Sequence, residues 1–489
     1  MKHTNAKISL LFFVILTVVF FMQCGEPLKN NEIPITSNSE EAINLFLEGR
    51  ELLENLKTPQ AAELFDRAIA LDSNFAHAYY YRANSGGGYK AFRENLAKAS
   101  DLIDKVSDGE KYLILYGVAN ADGDGIKQKS ELDGLLKLYP DDKRVQDIAG
   151  GYYYYNVQNY AKSLEHFNNA VNLDSNFAPS YNGLGYLYDD MGNYVDAEKS
   201  YKKYVTLIPD EANPYDSYAE FLLKRGRHTE SITQYEKAYN VDPEFVMAFS
   251  GIGDNYIFME EFDKAREYYQ KYYDEALNIN QKMGALYLKA ISFVYEDKID
   301  KTLATFEERI KLAKTKESPN YVLFSYLNTG WLLDEIGKFK EAKNHYEKAG
   351  NFIKNAELND ADRISYQLYL DLNLCLHDLL KGDLDKAESG LTVCNDAIEK
   401  RGNPYEKQFL NLVMGMLETE KENYQKASKH FTVADRESPY TWYREAIALE
   451  KSGKKTEAKK TYDKVANCND NGMDLAIVRN QAKEKLTNL

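Results

Sequence analysis

The chain has 489 residues, 44% of them hydrophobic and 28% charged, which excludes a disordered polymer and leaves room for several domains or one long repeat array. A formal charge of −15 repels phosphate backbones, so nucleic acid is not an expected partner. Four cysteines without a CxxC pair exclude a disulfide-stapled miniature and a structural zinc site.

Residues 1–23 read as an export signal. Lys2 and Lys7 precede Ile8 to Met22, fifteen residues without a charge. A bilayer takes about 20 apolar residues to cross, so this run suits a signal core better than a membrane-spanning helix. Cys24 and Gly25 follow at once. That order resembles the bacterial lipoprotein signal, which implies lipidation of Cys24 and an address in the cell envelope, anchored to a membrane (the outer membrane, at its periplasmic or surface face). Met22 and Gln23 depart from the small residues that this signal prefers, which leaves a plain secretory signal and an uncleaved anchor as alternatives. Residues 24–39 are polar, hold two prolines and show no period, so they read as a flexible tether.

A repeat fills the rest. LDSNFAHAYYYR opens at Leu71 and LDSNFAPSYNGL at Leu173, three repeat periods further on. Between Ala178 and Ile279 the period is strict, with Ala197/Tyr201/Tyr204, Ser231/Tyr235/Ala238 and Ala265/Tyr269/Tyr272 in register. Gly185, Ala219 and Gly253 lie twelve residues before each small residue. Looser copies hold Gly49 with Phe65, Gly151 with Phe167, Gly330 with Tyr346 and Gly415 with Phe431. The pattern resembles the tetratricopeptide repeat, a helix–turn–helix unit of about 34 residues. Small residues let two antiparallel helices approach, an aromatic fills the gap beside them, and glycines such as Gly192 and Gly226 make the turn. One such unit cannot bury its apolar face alone, so units stack.

The expectation is an all-α, right-handed solenoid of about twelve units, in two arrays over 40–316 and 317–472, with a hinge near Pro319. Residues 473–489 read as a final helix capping the exposed end of the stack.

Chemistry is sparse. His166, His345 and His430 each precede the aromatic of their repeat, a recurrence that belongs to architecture rather than to a catalytic cluster. Cys375 and Cys394 stand at small-residue positions and read as packing groups, with a disulfide between them as the alternative. Asn120, Asp122, Asp124 and Glu131, with Gly125 between, fit the spacing of an EF-hand calcium loop. Lys127 stands where that loop carries an aliphatic residue, and the segment falls where an inter-helix turn belongs, so the turn is the preferred reading and calcium the weaker one. No cofactor is expected, and no nucleophile–base or metal set marks an enzyme.

The resemblance implies that first helices line a concave face where partners bind as peptides. Carried onto this chain, it gives a candidate groove of Tyr152, Tyr155, Asn182, Tyr186, Asp189, Asp216, Glu220, Asp254 and Trp331. The set is acidic with interleaved aromatics and holds no basic clamp, which suits a basic peptide or protein. The expected function is a non-enzymatic, membrane-tethered docking scaffold. The alternative is a lipoprotein that binds glycans or cell-wall fragments on its aromatic residues.

Overall fold

The computed structural model describes residues 31–55 and 57–488; Cys24 and the signal of 1–23 lie outside them. Twelve helix pairs run from Glu40 to Ala466, and a last helix, Met473–Asn488, follows. They wind into a right-handed α-solenoid.

Local sequence sets the pairs. In five of them a first-helix glycine faces the aromatic sixteen residues on. A Cβ on Gly185 would lie 2.5 Å from Tyr201, and one on Gly253, Gly330, Gly415 or Gly49 would be 2.4–2.8 Å from Tyr269, Tyr346, Phe431 or Phe65. The glycine therefore makes room for a ring, rather than for the small residue of the facing helix. In the fourth pair Gly150, not Gly151, meets Phe167. There the first helix ends in a π-wound turn, Tyr152–Asn156, whose extra residue shifts the register.

The turns share a second device. Gln158, Gly192, Gly226 and Glu260 follow one another at the repeat period, and all four adopt positive φ, from 52° to 75°. Glycine takes this left-handed conformation freely, whereas Gln158 and Glu260 hold it against the Cβ clash. Both of these side chains reach far across the molecule, Gln158 to Asp435 and Glu260 to Lys483.

The solenoid closes on itself. Arg93 binds Asp362, Gln158 and Tyr160 bind Asp435 and Glu437, and Arg401 donates to the carbonyl of Asp122, at separations of 269, 277, 277 and 279 residues. Eight repeat periods make up that interval, so the second superhelical turn rests on the first. The fit is tightest at Gly125, where a Cβ would come within 2.2 Å of the Gly402 carbonyl oxygen.

Three expectations need correction. The tether is docked from residue 31 onward: the Ile33 N–H donates to Asp142 (2.9 Å), Thr36 donates twice to Glu110, and Ser37 and Asn38 donate to Asp72. Its Ser, Thr and Asn residues bind acids of the first four pairs instead of water. No break in packing marks the hinge near Pro319, because Ile310 and Ala313 share one core cluster with Val322 and Leu323. Finally, the last helix is more than an end cap. It buries Met473, Leu475, Ala476, Ile477, Val478 and Ala482 on several sides, packing on the twelfth pair and on the eighth.

Candidate functional site

Tyr186, Glu220 and Asp254 occupy one position in three successive first helices, Ala178–Asp190, Ala212–Lys224 and Ala248–Phe258. The repeat period stacks them as a ladder on the inner face. The Tyr186 hydroxyl donates to Glu220 (2.6 Å), and Lys224 pairs with the other oxygen of Glu220 at 2.9 Å. Asp254 accepts from the Tyr269 hydroxyl and from the Asn471 side-chain amide, both at 2.6 Å. Asn182 and Asp216 form a parallel row one helical turn earlier, and the Asn182 Oδ1 is buried without a partner.

Burial shapes the charge of this face. It pushes the Asp216 carboxyl up to about 8, with the Glu220 charge adding to the effect. Burial likewise lifts Asp254 to about 7. Asp189 is lifted to about 6 by burial against the opposing pull of Arg225 and Lys224. The predicted acids lie near one another, and Lys224 and Arg225, which were not among the predicted groove residues, stand among them. Both bases end or follow a first helix, where their side chains turn inward.

The predicted groove is not open along its length. Asn471, in the turn before the last helix, crosses it: besides Asp254, its side chain contacts the hydroxyls of Tyr269 and Tyr295. The Met473 N–H donates to the Tyr287 hydroxyl, Lys483 pairs with Glu260, and the Arg479 guanidinium lies 4.8 Å from the Phe258 ring centroid. The chain's own C-terminal segment thus fills the inner face of the seventh and eighth pairs. Two aromatics are absent from the groove. Tyr152 is turned by the π winding into a cluster with Leu132 and Ala149. Trp331 stands edge-on to Tyr440 of the twelfth pair, 4.9 Å between centroids.

What stays open is a cleft of about 760 Å³ between the superhelical turns. Tyr155, 55% exposed, and Asp189 are the predicted residues that line it. Sequence reading missed the rest, including Tyr160, Asp190, Glu437 and Trp442. No local motif signals them, because the two walls lie some eight repeats apart.

The remaining candidates take structural roles. Asp124 caps the helix Gly125–Leu138 by accepting from the Lys127 N–H. Asp122 pairs with Arg93 at 2.8 Å, Asn120 accepts from Gln128, and Glu131 lies within that helix. Cys375 and Cys394 are buried, adjacent thiols. His166 and His430 bind Gln146 and Asn411. An Asp334 carboxylate between His377 (2.6 Å) and Tyr346 (2.8 Å) went unforeseen; it is buried in the core.

Family models of the tetratricopeptide repeat match residues 178–211, 325–349 and 46–86. These segments are tetratricopeptide repeats. Solved structures of tetratricopeptide and related proteins resemble stretches of the array. One from Parabacteroides merdae ATCC 43184 is 15% identical over 49% of this chain and 95% of its own, at a TM-score of 0.34. PilF of Pseudomonas aeruginosa is 18% identical over 43% of this chain and 93% of its own, at 0.32. MamA is 21% identical over 34% of this chain and 91% of its own, at 0.28. No curated protein matches the chain.

Proposed function

We propose that this protein is a non-enzymatic docking scaffold, tethered to a bacterial envelope membrane by lipid on Cys24, which receives a basic segment of a partner protein in the cleft between its superhelical turns. The observation that carries the reading is the cleft itself. Its lining holds six carboxylates, from Asp189 to Asp470, against three cations, with six aromatic side chains beside them. Such a surface steers a cationic segment electrostatically and gives it apolar contact once seated. The glycan alternative is the weaker one here, because the Trp442 face that would stack a sugar is covered by the Lys464 ammonium, 3.3 Å from its centroid.

The test is capture from detergent-solubilised envelope with the tagged full-length protein. A bound protein that is lost on Tyr155→Ala plus Glu437→Lys supports the reading; capture unchanged by that pair overturns it. For the tether, a metabolic lipid label should mark the wild type and vanish in Cys24→Ser, and a label that persists there would exclude lipid on Cys24.

A further inference from the structure

The cleft carries a feature that a general acidic surface lacks. Asp190, which ends the helix Ala178–Asp190, accepts a hydrogen bond from the Tyr154 hydroxyl. Across the cleft, Glu437 accepts from the Tyr160 hydroxyl and Asp435 from the Gln158 amide. All three donors are neutral, so each carboxylate is oriented without a direct ion pair among the described residues, and Lys224 and Lys464 act on Asp190 and Glu437 only through the field of the cleft. The negative end of the helix dipole at Asp190 adds to the same field. Burial, with neighbouring acids behind it, pushes the carboxyls of Asp190 and Glu437 above their usual range. Lys224 and Lys464 pull the other way without reversing the shift.

A second observation is independent of these charges. Asp189 is 6% exposed and lines the cleft, yet its Oδ1 has no hydrogen-bond partner. Arg225 Nη1 forms an ion pair with it at 3.5 Å, too long to fill it with a hydrogen bond. A buried acceptor left unfilled is costly, and an N–H donor entering the cleft would relieve it. The aromatic walls already hold cations: Lys464 lies over Trp442, and Arg225 over Tyr194 at 4.1 Å.

We propose that the cleft is a binding site for linear oligoamines, with protonated nitrogens seated between Asp189 and Asp190 on one wall and Asp435 and Glu437 on the other, and the methylene links lying on the tyrosines. A free polyamine and the lysine side chains of a docked segment share this chemistry. Carboxylate oxygens select N–H-bearing ammonium groups over quaternary ones, which have no proton to donate. The inference shares its cleft with the docking reading but requires no protein partner.

The experiment is calorimetric titration of the full-length protein, in detergent and at matched ionic strength, with spermidine, pentalysine or tetramethylammonium. Saturable binding of spermidine, pentalysine or both is expected, with tetramethylammonium at least tenfold weaker. Binding of pentalysine alone would assign the site to docked side chains; binding of spermidine as well would admit the free amine. Asp190→Asn with Glu437→Gln should weaken binding at least tenfold, Asp189→Asn alone should weaken it less, and the exposed Asp396→Asn should leave it unchanged. Circular-dichroism melts establish that each variant is folded. Neither amine binding above the sodium control, equal binding of tetramethylammonium, or full binding by the folded double variant would overturn the inference. Envelope capture that is still lost on Tyr155→Ala plus Glu437→Lys would then leave the docking reading standing.

Discussion

The inner ladder and the cleft both start on the helix Ala178–Asp190 and both are acidic, yet their carboxylates meet different donors. On the ladder Glu220 is paired with Lys224, and Asp254 is held by Asn471 from the C-terminal turn. In the cleft Asp190 and Glu437 meet tyrosine hydroxyls, and Asp435 meets the Gln158 amide and the Glu437 N–H. Sign and spacing are alike, so what separates a structural acid from an available one is the partner that folding delivers. Replacing both Asp216 and Glu220 by Lys would therefore be a poor test of docking, because it also breaks the Lys224 pair.

Three perturbations sharpen that contrast. The largest effect is expected where charges are most fully engaged. Arg444 grips Glu335 through both carboxylate oxygens, at 2.5 and 2.6 Å, with the Glu335 side chain 4% exposed. Arg444→Leu strands that carboxylate and should cost about 3–5 kcal/mol in a denaturant melt. A loss under about 1 kcal/mol would mean that engaged charges here are not structural. Next, Asn471→Ala removes the amide that Asp254 accepts from and should cost about 1–3 kcal/mol, whereas Asp190→Asn in the cleft should stay within about 0.5 kcal/mol. Equal effects of the two would erase the distinction between the regions.

The smallest effect is a pH dependence. Asp216 and Asp254 have folded-state values raised from 3.8 to about 8 and about 7, so their contribution is fully present below the unfolded value and is lost as pH rises through the folded ones. Glu110 runs the other way. Burial opposes its ionisation, but the His77 imidazole, 3.5 Å away, and hydrogen bonds from Thr36 outweigh this and hold it at about 2. Its contribution is present above the ordinary value of 4.5 and is lost as pH falls toward 2. The melting temperature should crest in mild acid and decline on both sides. Asp216→Asn should flatten the alkaline decline, and a slope unchanged in that variant would assign the dependence elsewhere.

The repeats were legible because helix pairing is local. A glycine and an aromatic sixteen residues apart announce a pair wherever they recur, and the strict register from Ala178 onward set the order of the ladder. The π turn at Tyr152–Asn156 was not legible, since one inserted residue leaves the pattern of Gly and Phe almost intact while rotating Tyr152 off the inner face. The docking of residues 31–39 was hidden for another reason: Thr36 and Ser37 look solvent-loving until Glu110 and Asp72 are brought beneath them. The cleft was hidden most deeply. Tyr160 and Glu437 meet only because eight repeats complete a superhelical turn, and superhelical pitch is a sum of small rotations that no single repeat displays.

That closure bears on how the molecule comes apart. In an open array each repeat touches only its neighbours, so unravelling can begin at either end and proceed one unit at a time. Here contacts spanning 269 to 279 residues tie the second and third pairs to the tenth, and the C-terminal helix is wedged against the eighth. Ends fastened in this way cannot fray independently. Closing so long a loop demands a search that local helix formation does not. The array should therefore assemble its pairs early and its seam late, and lose them together as a single cooperative unit.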